Sequence, residues 1–260
     1  YYKIMKTDSQ ILDAENQKKI LSRVNWCFPW AVPMFHTMFA GLVLSQICLV
    51  LNMSDMEIGM VNAIPNLVLP LQLLSAYLVI KSVPRKTFFM VLGVVSRLFM
   101  VLIACVLLLK INESLSMVLF VLFFLGFHIS FAMGIPLWFS WAGDLVPGNQ
   151  SAKFFGDRNA IAFVSGMVYV LIYGFVLDAF DDTRFALALI LGASGVTACM
   201  ELLFYKSIPA VEKKEDKFDL NRLRWLIDPF KHKNFVRLAL VGIFYNISFF
   251  VHIFLGFILF

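Results

Sequence analysis

Seven long apolar stretches constrain this chain more than any other feature: residues 28–51, 58–80, 87–109, 114–143, 159–177, 185–205 and 238–260. Within them the only Asp, Glu, Lys or Arg residues are Arg97 and Glu201. A helix rising 1.5 Å per residue needs about 20 residues to cross ~30 Å of hydrocarbon, and most of these stretches reach that length. Backbone polar groups in lipid must be satisfied within the segment, which calls for helices; the period-two alternation of barrel strands is absent. With 60% hydrophobic and 15% charged residues, a water-soluble globule is excluded. The expected fold class is an all-α integral membrane protein. The chain starts at Tyr1 and its last ten residues are still apolar, so it reads as a fragment of a longer protein. The first 25 residues are charged and the first apolar run is long enough to stay in the bilayer, so targeting is expected to rest on that span rather than on a cleaved signal.

Charge sets the expected direction of crossing. Of the 22 Lys and Arg residues, all but Lys110, Arg184 and the intraspan Arg97 fall in the first 25 residues or in the second-to-third, fourth-to-fifth and sixth-to-seventh connections. The positive-inside rule therefore puts the amino terminus and those connections in the cytoplasm. Trp26, Trp30, Trp138 and Trp141 lie at the same ends of their spans, where an aromatic belt is expected. Topogenesis and anionic headgroups account for the net charge of +5, and no nucleic-acid partner is needed. Four segments follow: a cytoplasmic tail (1–25), a six-span half (26–206), a linker (207–234), either amphipathic or plainly solvated, and a seventh span (235–260). The four cysteines have no CxxC or metal-type spacing and read as apolar packing residues.

Two connections carry local motifs. After the second span comes "AYLVIKSVPRKTFF", with Arg85 and Lys86; after the fourth comes "WFSWAGDLVPGNQSAKFFGDRNAI", with Asp144, Pro147, Arg158 and Asn159. Together with the layout of six spans, a charged linker and a new span, these resemble the major facilitator superfamily of secondary transporters. The connection after the second span sits where that family carries Gly-x-x-x-Asp-Arg-x-Gly-Arg-Arg; Arg85 and Lys86 match its basic end, while its glycines and aspartate are missing here. The connection after the fourth span resembles an Asp-Leu-Val-Pro turn of some bacterial members. The resemblance implies a six-helix half made of two inverted three-helix repeats, with the first, fourth and seventh spans facing a central cavity. It also implies a bacterial inner membrane, a small solute, a coupling proton or sodium ion, and a carboxy-terminal half of the same chain. Asp144 and Arg158 are expected to pair across their short loop, as a gate-side latch or as simple turn chemistry.

An internal echo bears on the cavity. The first span reads "FHTMFAG" and the fourth "FHISFAMG", and the seventh carries "VHIFLG". His36, His128 and His252 thus sit in the spans that the resemblance turns inward, where an imidazole suits binding or proton exchange; tight packing is the alternative. Arg97 lies ten residues into the third run, about 15 Å deep. A charge there costs roughly 2.5–3.5 kcal/mol to insert, and something must offset it. No acid is expected at its depth, Glu201 being placed near the end of the sixth run. Water, an anionic substrate group, helix carbonyls or an acid beyond Phe260 are left as its partners. Pro65, Pro70 and Pro136 mark expected kinks.

The leading expectation is a transporter working by alternating access, with His36, Arg97, His128 and His252 lining its cavity. Arg85, Lys86, Asp144 and Arg158 would then form its cytoplasmic gate. A seven-helix receptor is the alternative, opposed by the basic amino-terminal tail. No HExxH, GxSxG or suitable acid pair is found, so neither an enzyme nor a cofactor or metal is expected.

Overall fold

The computed structural model describes residues 14–39, 41–75, 84–109, 111–208 and 228–244. The chain divides into two units, Tyr1–Lys214 and Glu215–Phe260. In the second, the described residues form a 3-10 turn, Asp228–Lys231, and a helix over 233–244. The remainder of the expected linker and seventh span, His252 included, lies outside the described residues.

The first unit is a bundle of helices, with no strand among the described residues. Its elements are α1 (Ala14–Trp26), a 3-10 turn (Phe28–Trp30), α2 (Val32–Met38), α3 (Leu42–Val50) and α4 (Asp55–Leu67). Four long helices follow: α5 (Arg85–Leu108), α6 (Glu113–Leu145), α7 (Ser151–Ala179) and α8 (Thr183–Lys206). Among the described residues, five helices are long and apolar enough to cross a bilayer: these four and Asp55–Ser75, in which α4 continues through a turn. The pieces before and after residues 39–41, inclined at 40°, make a sixth if taken as one span. The described part of the protein is accordingly all-helical, with the helices of an integral membrane protein.

Polar caps start the helices where the apolar runs begin. Ser54 and Glu57 form a reciprocal capping box at α4, Asn112 accepts from the Ser114 amide at α6, and Asp182 accepts from the Arg184 and Phe185 amides at α8. At the other end of the bundle, α5 begins after Pro84, and Pro147 turns the chain between α6 and α7. Pro136 leaves α6 unbroken over 33 residues. Pro65 precedes the end of α4 by two residues, and Pro70 lies in the turn that follows it.

The first apolar run is not one helix. Pro29 and Pro33 start separate short elements, Phe39 is extended, and Gly41 sits at φ 158° and ψ −172°, a region that a Cβ makes costly. The echoing glycine of the fourth span, Gly134, lies inside α6 and bends nothing. The two echoes do meet: Phe39 packs on Phe127 and Phe131, and Phe35 on Phe131, with ring centroids 5.1–6.3 Å apart.

α5 packs mainly on α6 and α8. Adding a Cβ to Gly93 would bring it 2.8 Å from the Leu202 side chain, so this glycine sets the approach of α5 to α8. One core cluster gathers Met34, Met38, Met100, Phe124 and Leu191; a second gathers Val24, Cys27, Trp141, Leu145 and Tyr205. Trp26 and Trp30 are exposed as an interfacial belt requires, but Trp138 and Trp141 are 8% and 1% exposed and belong to the second cluster. Tyr205 explains the difference, taking a hydrogen bond from the Trp138 indole and stacking edge-on against Trp141. Cys27 and Cys48 are buried, whereas Cys105 and Cys199 face outward. Along α7 the exposed Phe163, Met167, Leu171 and Phe175 recur every four residues, an apolar face with no water-compatible covering.

Candidate functional site

Glu201 is the centre of the buried polar chemistry. It sits on α8, 5% exposed, and accepts from Arg97 Nη2 on α5 at 2.9 Å. Its other oxygen accepts from the Tyr205 hydroxyl at 3.0 Å and lies 3.8 Å from Arg158 Nη2 on α7. Tyr205 is one turn further along the same helix face, which is why the two side chains meet. This overturns the expectation that Arg97 has no acid at its depth. Arg97 is twelve residues into α5 and Glu201 five from the end of α8, an axial offset of about 10 Å. Side chains lean toward the amino terminus of their own helix. In antiparallel helices Arg97 and Glu201 therefore lean toward each other and close the gap. The Arg97 Nη1 bond to the Gly93 carbonyl, one turn back, shows that lean.

Arg158 does not pair with Asp144, contrary to expectation. α7 begins eight residues before its apolar run, so Arg158 stands two turns inside the helix, pointing into the bundle. Its guanidinium lies 3.5 Å from the Phe28 ring centroid and 4.3 Å from that of Trp138, and it donates to the Val24 carbonyl. Asp144 is held instead by Arg85 Nη2 at 2.8 Å, while Arg85 Nη1 donates to Ser140. Lys86 donates to the carbonyls of Lys206 and Ile208 at the end of α8, where helix carbonyls lack partners of their own. Arg85 and Lys86 thus tie the start of α5 to the ends of α6 and α8.

A cavity of about 310 Å³ opens beside the Arg97–Glu201 pair, bordered by side chains packed on both core clusters. Arg97, Arg158 and Glu201 are its charged lining residues, Ser96, Ser130 and Asn159 its polar neighbours, and aromatic rings dominate the rest. Its size falls at the lower end of the ~300–1,000 Å³ typical of small-molecule sites.

The histidines lie elsewhere. His128 is 1% exposed, ringed by Phe39, Phe124 and Phe127, and its Nε2 is 2.9 Å from the Met38 carbonyl. A carbonyl can only accept, so Nε2 carries the proton in this contact. Met38 is the last residue of α2, and His128 thus caps the helix end that the break at Phe39 exposes. His36 packs against Gly166 of α7, leaving no room for a Cβ there. Neither imidazole is in the lining of this cavity, which takes from the same echoes Phe35, Phe131 and Gly134 instead.

Glu201 and Tyr205 were missed as site residues by sequence reasoning, although an acid inside an apolar run, followed one turn later by a tyrosine, was the available signal. Compared with protein families, curated proteins and solved structures, the chain matches none.

Proposed function

We propose that this chain belongs to a secondary transporter of major facilitator type, moving a small solute across a membrane by alternating access. The observation that carries the reading is the cavity beside Arg97, Glu201 and Arg158, walled by helices of membrane length. Buried ionisable groups inside spans are expensive, and a transport path is the usual reason to keep them. The Arg85–Asp144 pair and the Lys86 contacts at one end of the bundle suit a gate that holds helix ends together in one state.

The test is flux. Full-length protein reconstituted in liposomes is given labelled carboxylates, sugars and amines under a proton or a sodium gradient. At least one solute should accumulate above protein-free liposomes. Gly134→Phe, which fills the cavity, should abolish that accumulation while leaving the circular dichroism spectrum unchanged. No flux of any solute under either gradient, or unaltered flux in Gly134→Phe, would overturn the proposal.

A further inference from the structure

The cavity has an unbalanced charge. Two guanidinium groups and one carboxylate line it, leaving one unit of positive charge among aromatic walls. Arg158 is well provided for: the Val24 carbonyl, the Tyr205 hydroxyl and two ring faces occupy its guanidinium. Arg97 is not. Nη1 and Nη2 are bonded to Gly93, Ser96 and Glu201, but its Nε is buried with no hydrogen-bond partner, in a residue 5% exposed. A donor closed off inside the wall leaves the buried cation under-compensated, and an anion on the cavity side of the guanidinium offsets that.

The rest of the wall describes that acceptor's body. Phe35, Phe131, Phe89, Phe139 and Phe155 offer only ring faces and edges, and the Trp138 N–H is already given to Tyr205. They suit a flat apolar group, and the volume suits one of metabolite size. We infer that the cavity binds a compact organic monoanion, an aromatic or similarly apolar carboxylate, with its oxyanion at Arg97 and its body among the phenylalanines. This rests on the transport reading for its purpose but on the cavity alone for its chemistry.

Equilibrium dialysis of the full-length protein in detergent tests it without any substitution. Labelled benzoate should bind at least about tenfold more tightly than benzamide or benzylammonium, the scale of one charge-assisted hydrogen bond. Equal binding of benzamide would overturn the anion, and tighter benzylammonium would assign the site to cations through Glu201. Dodecanoate displacing benzoate at a tenfold lower concentration would overturn the compact body in favour of a lipid-derived anion. Arg97→Gln should then lose benzoate binding about tenfold. Arg97→Lys, which keeps the charge but loses the planar guanidinium fork, should weaken it too and covers the case in which Arg97→Gln does not fold. Benzoate bound without flux would sustain this inference and sink transport; flux of a sugar or amine with no benzoate binding would do the reverse.

Discussion

Glu201 serves two arginines, and that asymmetry decides what substitutions do. Removing Glu201 leaves Arg97 without a carboxylate and takes the counter-charge from Arg158 as well, whereas removing Arg97 leaves Glu201 facing Arg158 and the Tyr205 hydroxyl. Breaking a buried pair costs about 3–5 kcal/mol when a charge is left alone. Glu201→Met should therefore fall in or above that range and Arg97→Met below it, read as thermal-unfolding midpoints in detergent; equal losses would contradict the shared carboxylate. His128→Ala should cost about 1–3 kcal/mol, the penalty of leaving the Met38 carbonyl unpaired. His128→Gln should recover part of it. A stability loss with unchanged solute binding would mark this imidazole as a cap rather than a site residue.

At the scale of elements, the long helices were legible and their company was not. The apolar runs 87–109, 114–143 and 185–205 lie within or close to the bounds of α5, α6 and α8, because burial in lipid selects apolar residues all round. Hydropathy starts α7 eight residues late, since it marks the apolar length and not the polar turns 151–158 that open the helix. That shift misplaces Arg158, and with it the partner of Asp144. The first run hides its break because Phe39 and Gly41 are as apolar as a continuous span requires; only their backbone angles separate α2 from α3. Two tests follow. Gly41→Ala should destabilise by about 1–3 kcal/mol, whereas Gly59→Ala, where a Cβ meets nothing within 4 Å, should not. Reversing Arg85 or Asp144 singly should cost about 1–2 kcal/mol, and the double reversal should recover part of it in a double-mutant cycle.

For the whole molecule, charge asymmetry and the exposed apolar face of α7 make one statement about surroundings. In a cysteine-free background in right-side-out membrane vesicles, Lys153→Cys should resist an impermeant maleimide and Asp181→Cys should react, as the excess of Lys and Arg on the first side requires. Labelling of Lys153→Cys from outside would reverse the orientation. Met167→Cys should stay unlabelled from both sides until detergent is added, its side chain being 70% exposed yet part of an apolar stripe.

The break between α2 and α3 also has a mechanical meaning. A continuous helix resists bending because each turn is tied to the next by ladder hydrogen bonds. Where Phe39 is extended and Gly41 occupies a region closed to most side chains, that ladder is interrupted and the two pieces meet at 40°. The His128 bond to Met38 and the Tyr173 bond to Pro33 hold α2 to α6 and α7, while Arg184 holds the end of α3 through the Val50 carbonyl. The break thus makes a braced elbow, both arms held by side chains of other helices, and loosening the His128 brace should soften the joint before it changes anything the cavity holds.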